Sequence, residues 1–187
     1  MKLKRHASID MYEPIIKPVN VKVIKECQKY LKHNNIANRG TYDGNKEKQL
    51  VGLVGEMETH NLLKGFYPNL NEKENGFDGG YDIAHANMKI DVKTMARKVY
   101  TKDYYANNFT KLQECFNPDI LLFTSINKKT NKIEFCGWIW KKSLGKKAKL
   151  YKKGSIRKRG ISDTMTIVED NYEILCSELN DIRELII

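Results

Sequence analysis

The sequence is poor in the residues and patterns that mark disulfide scaffolds, zinc ribbons and nucleotide-binding loops. It has only 4 cysteines among 187 residues, and no two of them form a Cys-x-x-Cys pair, which argues against a zinc ribbon. It has no glycine-rich phosphate loop, so nothing supports an ATP or nicotinamide site. No run approaches the roughly 20 apolar residues that a membrane helix needs, and no internal repeat is visible.

The spacing of the cysteines and the pattern of the N-terminus favour a cytoplasmic protein. The cysteines lie far apart, so reduced core thiols fit better than a four-cysteine iron–sulfur cluster, although the spacing permits one. They are Cys27, Cys115, Cys136 and Cys176. Residues 1–6 are basic but lead to Asp10 and Glu13 rather than to an apolar stretch, unlike a signal peptide. We therefore expect a cytoplasmic location and no membrane partner.

Positive charge is in excess and is concentrated in one segment. Lys and Arg total 33 against 23 Asp and Glu, so the net charge is +10. Residues 141–159 hold the whole excess and no acidic residue, which is typical of a surface that binds a polyanion. We predict DNA as the partner; the alternative is a solvated helix that keeps the protein soluble. The predicted DNA-binding residues are Lys141, Lys142, Lys146, Lys147, Lys149, Lys152, Lys153, Arg157, Lys158 and Arg159.

The length and composition predict one α/β domain with a substantial core. We predict an N-terminal arm and helix over residues 1–44, a central core over 45–153, and a basic loop with a C-terminal helix over 154–187. Two helices and two strands have clear apolar patterns. The helices cover residues 21–33 and 45–63, and the strands cover 119–126 and 133–140. Weaker patterns predict short helices over residues 109–116 and through Leu144, Ala148 and Tyr151.

The centre of the chain has the pattern of a tight β-hairpin. Two short runs, residues 81–85 and 88–95, are separated by Ala86 and Asn87. Alternate side chains of a strand share a face, so Ile90 and Val92 point together toward a core. The remaining side chains of the second run must then point to the opposite face.

Charged residues occupy that opposite face. Asp91 and Lys93 lie there roughly 7 Å apart at their Cα atoms, and Asp82 on the first strand can reach Asp91 through hairpin pairing. Two carboxylates and an ammonium on a rigid sheet suit a hard cation and a phosphate. Asp78 competes with Asp82 as the first carboxylate, but Asp82 is better fixed by its strand. The alternative interpretation is that Lys93 only forms a salt bridge with these carboxylates.

A third carboxylate lies on the preceding helix. Glu56 has Gly52 and Gly55 beside it, and each glycine costs a helix roughly 1 kcal/mol relative to alanine. This cost favours close approach of a strand or ligand, so Glu56 can be directed over the sheet. His60 is one turn further on, but a lone histidine is more often structural than a ligand.

The order of these elements resembles the PD-(D/E)xK nuclease superfamily, the fold of many restriction endonucleases and archaeal Holliday junction resolvases. The order is a helix with Gly55-Glu56, a strand with Asp82, a strand with Asp91-Val92-Lys93, then helix, strand and strand. The resemblance covers roughly residues 45–153. It implies a restriction-endonuclease-like core in which helices flank a central mixed sheet of four to five strands.

The resemblance also implies a function and a site. It implies a metal-dependent DNA endonuclease in which Asp82 and Asp91 bind Mg²⁺, with Mn²⁺ as a substitute. Glu56 and the backbone carbonyl of Val92 complete the metal site, and Lys93 helps to activate the attacking water. The sequence departs from the family pattern at three points: Tyr81 stands where proline often precedes the first acid, Asp91 where glutamate is commoner, and no Gln-x-x-x-Tyr element follows.

Two other functions stay open at this stage. One is a structure-selective nuclease such as a Holliday junction resolvase, and the other is a non-catalytic nucleic-acid-binding protein with the same fold. An enzyme that cuts both strands is often a two-fold dimer, so a homodimer is a further alternative.

Overall fold

The computed structural model describes residues 12–33, 45–64, 80–159 and 163–186, which form a mixed α/β fold. The helices are α1 (Val21–His33), α2 (Lys46–Leu63) and α3 (Leu144–Lys147). The strands are β1 (Ile15–Pro18), β2 (Ile83–His85), β3 (Met88–Arg97), β4 (Ala106–Thr110), β5 (Ile120–Asn127), β6 (Lys132–Trp140), β7 (Lys149–Tyr151), β8 (Ile156–Arg159), β9 (Asp163–Thr166) and β10 (Asn171–Leu175). Short 3₁₀ turns cover Lys111–Gln113, Lys141–Ser143, Cys176–Glu178 and Ile182–Leu185.

The strands form a large mixed sheet, a small sheet and a separate hairpin. The large sheet has five strands in the order β1-β6-β5-β3-β2. Its central pair, β3 and β5, is parallel, and its other pairs are antiparallel. The small sheet has three antiparallel strands in the order β4-β10-β7, and β8 pairs with β9.

The large sheet is buried between two layers. One face carries Ile90 and Val92 of β3 and packs against Val54 on α2. The other face carries Leu121 and Phe123 of β5 and belongs to a second cluster that includes residues of β4 and β10. All of β5 is buried, as its continuous apolar sequence predicts. Helices α1 and α2 therefore cover one side of the large sheet, and the small sheet covers the other together with α3.

The two long helices and the hairpin agree with the sequence predictions. Helix α2 begins where Asn45 accepts a hydrogen bond from the Lys48 backbone N–H at 3.0 Å. The hairpin turn places Ala86 at φ +48° and Asn87 at φ +62°, the left-handed pair that a two-residue type I′ turn requires. Strand β2 covers only Ile83–His85, so it is shorter than the predicted run.

The predicted helix over residues 109–116 is wrong. Residues 106–110 form β4, and a single 3₁₀ turn follows at Lys111–Gln113. Asn107 and Phe109 are buried whereas their neighbours are less so, which is the two-residue period of a strand. The whole connection from β3 to β5 is described, and it contains no α-helix, unlike the helical crossover that the resemblance implies.

The helices predicted in the C-terminal part are confirmed only at one short turn. The predicted helix through Leu144, Ala148 and Tyr151 is present as α3 but ends at Lys147, and the chain continues into β7. The stretch predicted as a C-terminal helix contains β10, the central strand of the small sheet, followed by two 3₁₀ turns. Tyr172 and Ile174 alternate into the second core cluster, so pairing on both edges of β10 outweighs the weak helical spacing.

The predicted basic loop after Gly154 is a strand in its described part. Residues 156–159 form β8 and pair with β9, while Gly160 lies outside the described residues. None of the helices in the described ranges is long and apolar enough to cross a membrane.

Candidate active site

Strand β3 holds Asp91 and Lys93 on one face, as the alternation of the strand requires. The Lys93 Nζ atom lies 2.6 Å from Asp91 Oδ1, and the two side chains are 21% and 8% exposed. Their partners on the parallel strand β5 are Leu121 and Phe123, which belong to the second core cluster. The Lys93 ammonium also lies 5.9 Å from the centre of the Phe109 ring on β4. The pair is therefore enclosed by the layer formed by the small sheet.

Asp82 is fixed against the edge of β3 just before β2 begins. Its backbone N–H donates to the Ile90 carbonyl at 2.9 Å, and its Oδ2 atom accepts from the Val92 N–H at 2.7 Å. The residue is 5% exposed. Asp82 thus carries a buried carboxylate whose position is set by the backbone on either side of Asp91.

The backbone carbonyl of Val92 lies on the same edge of β3 as Asp82. In a ladder, the N–H and C=O of one residue point to the same neighbouring strand. The Val92 N–H points to Asp82, so the Val92 carbonyl points to that side as well. Strand β2 begins at Ile83, which pairs with Ile90, so this carbonyl lies beyond the end of the regular pairing.

The pKa of Lys93 shows that three carboxylates act on one ammonium. Burial alone would lower this pKa, but the charges of Asp91, Asp82 and Glu56 and the hydrogen bond to Asp91 raise it above the usual value of 10.5. Lys93 is therefore a cation at neutral pH. Glu56 acts on it from α2, which packs on the other face of the large sheet.

Gly55 explains how α2 approaches β3 so closely. A Cβ atom on Gly55 would lie 1.8 Å from the Thr94 hydroxyl oxygen, so only glycine fits at this position. Gly52, in contrast, has no atom within 4 Å of its would-be Cβ. The close approach predicted from the two glycines is therefore made at Gly55 alone, next to Glu56.

The oxygen atoms of this region suit Mg²⁺, although they are not gathered into a ready-made metal cluster. Among the described residues, no group of three or more His, Cys, Asp or Glu side chains is arranged to hold a metal ion. Asp91 instead contacts the Lys93 ammonium. The available donors are carboxylates and a backbone carbonyl, which are the ligands of a hard cation that keeps several waters. Asp78, the competing first acid, lies outside the described residues.

Two lysines of the basic segment donate hydrogen bonds to backbone carbonyls elsewhere in the chain. The Lys141 ammonium donates to the backbone carbonyls of Glu114 and Phe116. The Lys147 ammonium donates to the Glu178 carbonyl at 3.1 Å. Both residues tie the segment to loops elsewhere in the chain, which the charge pattern alone does not predict.

Three more basic residues of this segment pair with acidic side chains. Lys152 contacts Asp170 at 2.8 Å, Lys153 contacts Glu169 at 2.8 Å, and Arg157 contacts Glu173 at 2.5 Å. The hydrogen bond from Lys152 and that from the Lys153 backbone N–H lower the pKa of Asp170. The acidic partners lie 16 to 18 residues further along the chain. The charge pattern of the basic segment alone therefore does not predict these ion pairs.

The remaining basic side chains provide a smaller positive surface. Lys142 lies 5.6 Å from the centre of the Trp140 ring, and Lys149 lies 4.7 Å from that of Tyr151. Lys146 and Lys158 are exposed, and neither forms an ion pair with a described residue. Arg159 belongs to β8. The charge surplus is therefore presented mainly by Lys142, Lys146, Lys149 and Lys158.

Comparison with known proteins yields no match: no family model fits the chain, and no curated protein or solved structure is significantly similar to it.

Proposed function

We propose that this protein is a Mg²⁺-dependent DNA endonuclease with a restriction-endonuclease-like core, as the resemblance of its motifs implies. The observation that carries the proposal is the arrangement at the start of β3. Asp82 is bonded to the Val92 N–H, while Asp91 and Lys93 are paired on the adjacent face. Glu56 adds a third carboxylate to the electrostatic environment of Lys93.

The balance of charge in this region supports a cation site. Three carboxylates act on one ammonium, so a positive ion would relieve their mutual repulsion. Asp82, Asp91, Glu56 and the Val92 carbonyl would hold it, and Mn²⁺ would substitute for Mg²⁺. Bound there, the ion would activate a water and neutralise charge on the phosphate.

Lys93 acts in this proposal as a permanent cation and not as a base. Its raised pKa keeps the amine protonated at neutral pH, so it cannot accept a proton from water. It can donate hydrogen bonds that orient the water and stabilise the negative charge that develops on the phosphate. Asp91 holds the ammonium in place, since its Oδ1 atom lies 2.6 Å from Lys93 Nζ.

A second candidate is a nucleic-acid-binding protein without hydrolytic activity. It is favoured by the direct contact between Lys93 and Asp91, which an ordinary structural salt bridge would also show. It predicts binding that weakens with salt and no cleavage under any metal condition.

Supercoiled plasmid separates the two candidates. We expect the purified protein to nick or linearise the plasmid with Mg²⁺ or Mn²⁺ and to leave it intact with chelator. Asp91→Asn and Lys93→Met should each abolish cleavage while DNA binding is kept. Asp163→Asn and Lys129→Met change exposed residues outside the site and serve as matched controls. Cleavage at the wild-type rate by the double variant of Asp91 and Lys93 would show that the assigned site is wrong.

The choice of DNA substrate then tests selectivity. A structure-selective nuclease should cut four-way DNA faster than linear or nicked DNA of the same sequence. Equal rates on all three would leave a general endonuclease.

A further inference from the structure

A second polar cluster lies between the two sheets. It extends from Cys136, which lies level with Lys93 and Thr94 across β5, to Arg97 at the end of β3. The cluster contains the thiols of Cys136 on β6 and Cys176 after β10. Both are buried, and both line one groove. These residues have no part in the proposed nuclease chemistry.

A β-bulge and an amide set the positions of the two thiols. Phe123 of β5 pairs with Gly137 and Thr124 pairs with Phe135, so Cys136 is the extra, unpaired residue of β6. Bulges of this kind redirect a side chain and are common beside functional sites. The Cys176 sulfur accepts a hydrogen bond from Asn107 Nδ2 at 3.3 Å.

The surroundings of the thiols are unusually rich in buried polar groups. Five buried polar side-chain atoms have no hydrogen-bond partner among the described residues, and all but Gln49 Nε2 come from neighbouring parts of the two sheets. The other four lie in the region of the thiols. These atoms are Arg97 Nε, Asn107 Oδ1, Ser125 Oγ and Glu134 Oε2. Natural interiors leave few such atoms unpaired, and unpaired ones often mark functional sites.

The electrostatics favour the thiolate at Cys176 over that at Cys136. Interactions with Cys136, Tyr12 and Asn107 and the charge of Arg97 lower the pKa of Cys176 to about 6 against the opposing effect of burial. The interaction between the two thiols and burial raise the pKa of Cys136. Buried Cys27 shows the opposite case, since burial raises its pKa to about 12.

A groove gives small molecules a path to this pair. It has a volume of about 490 Å³, and its lining includes Tyr12, Cys136, Cys176 and Arg183. A hydroperoxide is small enough to enter such a space. The groove touches Cys176, which the rest of the fold buries, and reactive cysteines need such a route for their partner.

We propose that Cys136 and Cys176 form a peroxide-reactive thiol pair that closes to a disulfide between the two sheets. The Cys176 thiolate attacks one oxygen of hydrogen peroxide; an S–O bond forms, the O–O bond breaks, and the hydroxide that leaves takes up the proton that Cys176 had lost to solvent. The Cys136 sulfur then attacks the sulfenic sulfur; the S–S bond forms, the S–O bond breaks, and the departing hydroxyl takes the Cys136 proton and leaves as water. In total, two thiols are oxidised, one peroxide is reduced, and two waters form.

Peptide mapping after peroxide treatment tests this proposal. The full chain with Cys115→Ser is used, because Cys115 is exposed and would otherwise cross-link molecules. We expect one intramolecular cross-link between Cys136 and Cys176, a mass lower by about 2 Da as two hydrogens leave, and full reversal by a dithiol reductant. Cys27 should stay reduced and acts as the internal control.

Single variants test the order of the two steps. With Cys136→Ser, Cys176 should stop at the sulfenic acid, which a dimedone probe would label; with Cys176→Ser, no label should appear on Cys136. The mapping experiment uses neither of these variants, so its result holds even if one of them fails to fold. The proposal is overturned if peroxide leaves both thiols free, or if Cys27 is oxidised as fast as Cys176.

Discussion

Lys93 is surrounded by more negative charge than one ammonium can neutralise. Asp91 contacts it directly, and Asp82 and Glu56 also raise its pKa. Removing an ammonium from such a setting leaves carboxylates buried without a counter-charge, which is far more costly than losing the net value of an exposed ion pair. The stability of a variant without Lys93 therefore shows how strongly these carboxylates need a positive charge.

We expect Lys93→Met to destabilise the protein by about 2 kcal/mol. This is less than the cost of breaking a fully buried ion pair, because a fifth of the lysine side chain is exposed. Mg²⁺ should then raise the stability of the variant more than that of the wild type, since the ion replaces the lost charge. Urea unfolding with and without Mg²⁺ measures both effects. No metal-dependent difference between variant and wild type would argue against a cation at these carboxylates.

High pH provides a separate check on the same residue. The pKa of Lys93 is higher in the folded protein than in the unfolded chain, where it is about 10.5. The ion pair of Lys93 with Asp91 therefore stabilises the fold fully at pH values below about 10.5. This contribution is lost as the pH rises through the pKa of Lys93 in the folded protein. The stability difference between wild type and Lys93→Met should therefore shrink at alkaline pH. A constant difference would mean that the methionine acts through packing alone.

For single residues, the sequence predicts well which face of a strand a side chain occupies. It predicts poorly which residues from distant parts of the chain that side chain contacts. The opposite faces of Ile90 and Asp91 follow from strand alternation, and the structure confirms them. The acids opposite Lys152 and Arg157 are Asp170 and Glu173, which lie beyond β9 at the start of β10, and no local pattern predicts them. The same is true of Cys136 and Cys176, which are brought together only by the packing of two sheets.

Among the elements, α2 is placed by a single residue without a side chain. Gly55 touches the hydroxyl of Thr94, and that hydroxyl accepts a hydrogen bond from Thr124 at 2.9 Å. A methyl group at position 55 would overlap Thr94 and push the helix, with Glu56, away from β3. Helix propensity works in the other direction, since alanine is favoured over glycine.

We expect Gly55→Ala to destabilise the protein by about 2 kcal/mol, because the steric overlap outweighs the helix propensity gain. Gly52→Ala is the matched control on the same helix, and it should stabilise by up to about 1 kcal/mol, since open space surrounds it. Thermal unfolding of the two variants measures the contrast. Equal effects would mean that α2 is not held against β3 at Thr94.

Elements with a strong local pattern were predictable, and those that depend on distant pairing were not. Helices α1 and α2 and strands β5 and β6 have long apolar patterns, so their predictions agree with the structure. Strand β10 is short and gains its stability from β4 and β7 on its two edges. Its apolar residues also fit a helical period, so the sequence alone favoured the wrong element.

For the whole molecule, folding divides the basic segment into lysines that are paired within the fold and lysines that are not. Lys141 and Lys147 bind backbone carbonyls, and Lys152 and Lys153 face acidic side chains. A polyanion gains most from charges that have no acidic neighbour, because paired charges already have their counter-ion. The net charge of +10 therefore overstates the charge available at this surface.

If the protein binds DNA through this segment, replacing Lys142, Lys146 and Lys158 with alanine should weaken binding and lower the salt slope by about 2 to 3, as each lost phosphate contact removes about 0.9. A matched triple variant at Lys17, Lys22 and Lys25 removes the same charge from exposed positions outside the segment. Binding isotherms on one duplex at several salt concentrations compare the two. An equal loss in both variants would show that net charge, and not this surface, drives binding.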